Sequence, residues 1–65
     1  MSVADVFEKA KRVLLRIDGV VGVSVRDGRL VVFVESEEDV YKVPRVFEGV
    51  PVDVVVVGRV RLLEE

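Results

Sequence analysis

The sequence contains no cysteine and no histidine among its 65 residues. Without cysteine the chain forms no disulfide, and without either residue it lacks the usual ligands of structural zinc. A core in a chain of this size supplies only about 3–5 kcal/mol of net stability, and small folds often add an oligomeric contact or unusually good packing. The two absences therefore favour close packing or self-association, and we expect no metal and no cofactor.

Neutral polar side chains are also scarce. Asn, Gln and Thr are absent, and serine occurs only at Ser2, Ser24 and Ser36, while 34% of the residues are charged. A charged surface with few thermolabile residues is typical of hyperthermophile proteins, so we expect a thermophilic source. The formal net charge of −2 is made of interspersed charges of both signs, which gives no overall attraction to nucleic acid or to an anionic membrane.

Long apolar runs and secretory signals are missing as well. A run such as residues 54–57 is far too short to span a bilayer, which needs about 20 apolar residues. The first residues, Met-Ser-Val-Ala-Asp, lack the basic start and apolar stretch of a signal peptide. We expect a single domain over residues 1–65, located in the cytoplasm and without membrane contact.

The periodicity of the apolar residues predicts a helix over residues 3–17. Ser2 and Asp5 have the spacing of an N-terminal capping box, and Gly19 follows at the position of a C-terminal cap. The apolar positions recur at i, i+3, i+4 and i+7 and form one stripe: Val3, Val6, Phe7, Ala10, Val13, Leu14 and Ile17.

The dipeptide Asp27-Gly28 predicts a two-residue hairpin turn between strands at 20–26 and 29–35, because a type I′ turn needs positive φ at both positions. The resulting register sets apolar residues opposite each other on the face expected to pack on the helix: Val21 with Val34, Val23 with Val32, and Val25 with Leu30. On the other face Phe33 lies opposite Gly22, an arrangement in which an aromatic ring covers a weak strand position.

The rest of the chain predicts a short helical crossover and a third strand. Ser36 is expected to cap a helix over 37–43, which Pro44 ends. A last strand follows over 52–62, interrupted at Gly58. We expect this strand beside the first and antiparallel to it, in the order 2-1-3, with a position parallel to the second strand as the alternative. The predicted fold is α+β: one N-terminal helix packed on a three-stranded, mainly antiparallel sheet, in the order α-β-β-(short α)-β.

The chain lacks the side chains that catalysis usually requires. Two of the three serines are explained as helix caps, and Ser24 has no histidine in the chain to activate it. The acidic run at residues 35–39 lacks the alternating oxygen ligands and the central glycine of a calcium loop. We therefore expect no enzyme activity.

The side of the sheet opposite the helix, here termed the helix-free face, is predicted to carry an apolar patch. Such a face is normally polar, and aliphatic side chains with one aromatic and a charged rim are typical of an interface. The patch consists of Val20, Val31, Phe33, Val55 and Val57, and its rim of Arg26, Arg29, Arg59 and Arg61. The leading hypothesis is a non-catalytic module that binds itself, as a homodimer or higher oligomer, or a protein partner. The alternative is a small nucleic-acid platform that uses these arginines around Phe33.

Four stretches of the chain form a recognisable series: Gly-Val-Val-Gly-Val at 19–23, Val-Val-Phe-Val-Glu at 31–35, Val-Pro at 43–44, and Glu-Gly-Val-Pro-Val-Asp with the strand that follows, from 48 to Gly58. Together they resemble an uncharacterised segment that precedes the trypsin-like region in some bacterial and plant proteins. The resemblance covers residues 19–60 and implies an accessory or scaffolding module, here a stand-alone short version. No catalytic residue of the trypsin-like region corresponds to a residue of this chain. A further alternative is therefore an accessory domain of a separately encoded hydrolase.

Overall fold

A computed structural model describes residues 2–58 and contains two helices and a four-stranded mixed sheet. The elements are α1 (Val3–Leu14), β1 (Val20–Arg26), β2 (Arg29–Val34), α2 (Glu37–Val40), β3 (Val46–Phe47) and β4 (Val50–Val56). The strand order is β1-β2-β4-β3, with β2 and β4 parallel and the other neighbours antiparallel. The α+β class is confirmed. The expectation of three strands is wrong because β3 adds a fourth, and the sheet is mixed, with two antiparallel pairings and one parallel pairing.

Helix α1 begins where the sequence predicts and ends three residues early. The hydroxyl of Ser2 accepts a hydrogen bond from the Asp5 N–H at 3.3 Å, which caps the first turn. The buried stripe is narrower than predicted, since Val13 is exposed to solvent. The side chains that α1 buries lie one turn apart: Val6, Ala10 and Leu14.

The β1–β2 hairpin has the predicted turn. Asp27 and Gly28 both have positive φ, 51° and 77°, as a type I′ turn requires. The register is as predicted from the pair Arg26–Arg29 up to the pair Gly22–Phe33. Local turn geometry is therefore sufficient to align most of the hairpin.

Beyond Gly22 the register shifts, because β1 contains a bulge. Val20, not Val21, lies opposite Val34. Val20 is consequently in the core with 9% of its surface exposed, whereas Val21 is 51% exposed. The placement of Val20 on the helix-free face and of Val21 in the core is wrong, because one extra residue in a strand reverses the alternation of its side chains beyond that point.

The last strand pairs with β2 and not with β1. Its parallel register sets Leu30 level with Val52, and the Val57 N–H donates to the Val34 carbonyl at 2.9 Å. The predicted order 2-1-3 is wrong, and the alternative next to the second strand is observed. The uninterrupted apolar sequence of β2 suits a central strand, while the glycine and serine of β1 are tolerated at an edge.

A short hairpin precedes β4 where the sequence predicts only a loop. Glu48 and Gly49 have φ of 53° and 81°, and they join β3 to β4 with Val46 opposite Pro51. The neighbouring residue, Phe47, packs against the core. β4 begins at Val50, two residues before the predicted start at residue 52. Residues 59–62 of the predicted last strand lie outside the described residues.

One side of the sheet forms the core with the two helices and the loop after α2. The buried apolar residues are Val6, Ala10, Leu14, Val20, Leu30, Val32, Val34, Val43 and Val52. The core face of β4 is covered along only part of its length, since Val54 is half-buried and Val56 is exposed. The crossover helix is also shorter than predicted, ending at Val40.

Candidate functional site

The strand register arranges the helix-free face in rows that cross the sheet. Strand residues alternate between faces, so cross-strand partners share a face. The row next to the Asp27-Gly28 turn contains Arg26, Arg29, Pro51 and Val46. The next two rows contain Ser24, Val31 and Asp53, and then Gly22, Phe33 and Val55. Glu35 and Val57 follow at the far end by continuation of the register.

The middle of the helix-free face is apolar and open to solvent. Val55 and Val57 are 41% and 46% exposed, and Val31 and Phe33 are partly exposed beside them. The Phe33 ring lies over Gly22, where a Cβ atom would come within 3.3 Å of Cδ2 of the ring. The predicted cover of a glycine by an aromatic across the strand pair is confirmed.

Val46 is a member of this face that the sequence did not reveal. It is 61% exposed, and its pairing with Pro51 places it on the same side as Val55. The sequence gives no clear strand signal at Val46, because Glu-Gly is a weaker hairpin signal than Asp-Gly. The turn after β3 places Glu48 at a positive φ, which is unusual for that residue type and is not indicated by the sequence.

Arg29 is not a free rim charge, because it forms a two-point ion pair with Asp53. Nε donates to Oδ2 at 3.0 Å, and Nη2 donates to Oδ1 at 2.9 Å. These hydrogen bonds raise the pKa of the Arg29 guanidinium and lower the pKa of the Asp53 carboxyl, since they favour both charged forms. The pair links the row of Arg29 to the row of Val31, and its two charges neutralise each other at the edge of the apolar patch.

Two other charges of this face have no such partner among residues 2–58. Arg26 lies beside Arg29 at the hairpin-turn end, and Glu35 lies at the opposite end; both are exposed. Arg59 and Arg61, the other predicted rim residues, lie outside the described residues. The described charges on this face are therefore basic at one end and acidic at the other.

A second polar cluster lies on the core side, around Asp39. Its side chain is buried, and its carboxylate accepts from Lys42 Nζ at 2.9 Å and from the Ser36 hydroxyl at 3.0 Å. The hydrogen bond from Lys42, followed by that from Ser36, lowers the pKa of Asp39 despite its burial. Lys42 also donates to the Asp18 carbonyl at 3.3 Å. These contacts attach the crossover to the turn between α1 and β1, so we assign the cluster a structural role.

Ser36 caps α2 by position, but its hydroxyl donates a hydrogen bond to the Asp39 carboxylate and does not accept one from a backbone N–H.

Within residues 2–58 no three acidic side chains lie together in a way that could hold a metal ion. Neither α1 nor α2 has the length and apolar character that crossing a bilayer requires.

No family model, no curated protein and no solved structure matches the chain. The resemblance of residues 19–60 to the segment beside trypsin-like regions therefore stays a prediction. Function has to be inferred from the helix-free face itself.

Proposed function

We propose that the chain is a non-catalytic interaction module that self-associates through the helix-free face. The observation that carries this proposal is the solvent exposure of an apolar patch on the side of the sheet without a helix. It is formed by Val31, Phe33, Val46, Val55 and Val57. A sheet side that faces water is normally polar, and an apolar centre with a charged rim is the usual composition of a protein interface.

The dimensions of the face predict a weak association. Three strands spaced by about 4.8 Å and seven residues of about 3.3 Å each give a patch of roughly 15 Å by 20 Å. Two such faces together would bury roughly 600–800 Å², which is below the ~1,200 Å² of standard stable interfaces. We therefore expect a dissociation constant in the micromolar range or above.

The nucleic-acid alternative is less well supported by this geometry. Asp53 neutralises Arg29 through two hydrogen bonds, so the described face offers only Arg26 as an unpaired cation. Val46 adds apolar surface to the same row. A different protein, such as a separately encoded hydrolase, would bind the same patch, and the chain alone would then stay monomeric.

Sedimentation equilibrium on the full chain, from about 10 µM to about 1 mM, tests the proposal over the expected affinity range. We expect a monomer–dimer equilibrium for the wild type and a monomer for Phe33→Glu. Tyr41→Glu is the matched control, since Tyr41 is an exposed aromatic at the end of α2 and away from the helix-free face. It should associate as the wild type does, with circular dichroism confirming the fold of each variant.

A wild type that stays monomeric throughout, or a Phe33→Glu variant that dimerises as well as the wild type, would contradict self-association. The nucleic-acid alternative is tested by titrating the protein with single-stranded RNA at low salt, where phosphate contacts are strongest. RNA binding by a monomeric wild type would favour the nucleic-acid function instead.

A further inference from the structure

Among residues 2–58, the charged side chains of the helix-free face are distributed unevenly along its strands. Arg26 and Arg29 lie in the row beside the hairpin turn, and Glu35 lies six residues beyond Arg29. At about 3.3 Å per residue the basic and acidic ends are roughly 20 Å apart. The rows that contain Val31 and Phe33 lie between them.

From this polarity we infer the symmetry of the dimer: its two-fold axis runs across the strands, so that the strands of the two copies are antiparallel. This inference rests on the proposed self-association through the same face. An axis level with Val32 brings the Arg29 row of one copy over Glu35 of the other. The same axis places Val31 of each copy against Phe33 of the other. Both contacts follow because residue 32 lies midway between 29 and 35 and also midway between 31 and 33.

The other simple arrangement has its axis parallel to the strands. Each row would then lie over its own counterpart, which brings together the arginines of both copies at one end and both Glu35 carboxylates at the other. Like charges placed together across an interface oppose association. The arrangement with antiparallel strands instead places opposite charges together at both ends.

The apolar contacts are compatible with the antiparallel arrangement. Strand β2 of one copy crosses β2 of the other, at an angle of about 30° as in aligned sheet packing. Asp53 comes near Val55 of the second copy, and its charge stays compensated by Arg29 of its own chain. The patch is thus covered without leaving that carboxylate unpaired.

Charge reversal tests the axis. We expect Arg26→Glu and Glu35→Arg each to weaken the dimer by about tenfold at low salt, since each acts twice across a two-fold axis. The double variant should restore the wild-type dissociation constant to within about threefold. Arg26 is chosen over Arg29 because its reversal breaks no ion pair among the described residues.

Arg12→Glu and Glu38→Arg are the controls for the change in net charge. Both residues are exposed, on α1 and α2 respectively, and neither belongs to the helix-free face. They should leave the dissociation constant within about twofold of the wild type.

The two proposals fail in different ways. A monomeric wild type overturns self-association and with it the symmetry. A dimeric wild type whose association is unchanged or tightened by Arg26→Glu overturns the symmetry alone, since tightening is the result expected when arginines of the two copies face each other. Failure of the double variant to restore association also overturns the inferred axis.

Discussion

Gly19 illustrates two separate reasons for a glycine at one position. Its φ of +98° is a conformation that side chains disfavour. In addition, the carboxylate of Asp39 lies so close that a Cβ atom at residue 19 would overlap with it. Gly28 has a similar φ of +77°, but a Cβ atom there would meet nothing within 4 Å.

Comparison of these two glycines separates backbone strain from steric overlap. We expect Gly28→Ala to lower the free energy of unfolding by about 1–2 kcal/mol, the usual cost of a left-handed alanine. Gly19→Ala should cost at least about 1 kcal/mol more, because Asp39 must also move. Urea denaturation of both variants measures the difference. Equal losses would show that the Asp39 contact adds nothing.

The same carboxylate predicts how stability depends on acidity. The pKa of Asp39 is lowered in the fold from its ordinary value of 3.8, first by the hydrogen bond from Lys42. Its contribution is therefore complete above the pKa of the unfolded chain and is lost as the pH falls towards the pKa of the folded chain. We expect the free energy of unfolding to decline below about pH 4.

Asp39→Asn should lower the stability at pH 7 and flatten this acidic decline. Asp53, whose pKa is also lowered, contributes to the remaining slope, so Asp53→Asn is the comparison for an exposed pair. Urea titrations between about pH 2 and pH 7 cover the relevant interval. An Asp39→Asn variant with the full wild-type acid dependence would be incompatible with this assignment.

At the scale of elements, the bulge in β1 decides which valine enters the core. A regular hairpin would bury Val21, whereas the observed register buries Val20 opposite Val34. The sequence has no signal for this choice, because both residues are valine and either alternation is acceptable locally. In the tertiary structure Val20 is the valine that pairs with Val34 and packs in the core.

A pair of identical substitutions tests the bulge. We expect Val20→Ser to lower the free energy of unfolding by about 2–3 kcal/mol, since it removes buried apolar surface and buries a hydroxyl. Val21→Ser should change it by less than about 0.5 kcal/mol, as at other exposed positions. Chemical denaturation distinguishes the two. If Val21→Ser were instead the more destabilising of the two changes, the regular register without a bulge would be the correct one.

The strand pairings differ in how far the sequence could predict them. The β1–β2 hairpin was predictable because Asp27-Gly28 specifies both its turn and its register. The partner of β4 was not, since the apolar pattern of that strand fits beside either β1 or β2. No short turn joins β4 to the hairpin, so the path of the crossover decides which strand β4 pairs with. β2 becomes the central strand because its two faces are both apolar.

At the scale of the whole molecule, the core is small and one-sided. Nine apolar side chains are buried among residues 2–58, all on the side of the sheet that the helices cover. A fold of this size has little stability to spare, and the proposed binding of a second copy to the folded state alone would add to it by mass action.

This coupling predicts a thermal midpoint that depends on concentration. For the wild type, we expect the midpoint to rise by several degrees between about 10 µM and about 1 mM chain, since only the folded state dimerises. Phe33→Glu should show no such rise, and Tyr41→Glu should behave as the wild type. Differential scanning calorimetry measures all three. A midpoint independent of concentration in the wild type would mean that folding and association are not coupled.

The sequence by itself determined the helix and its cap, the Asp27-Gly28 turn, the pairing of Phe33 over Gly22 and the α+β class, because each follows from patterns within a few residues. The apolar character of Val31, Phe33, Val55 and Val57 on one face also followed from strand alternation. Tertiary structure alone decided that β4 lies beside β2, that Val20 replaces Val21 in the core, that Val46 joins the helix-free face and that Asp53 neutralises Arg29. Those features depend on which distant segments pack together, and local sequence patterns leave several such arrangements equally acceptable.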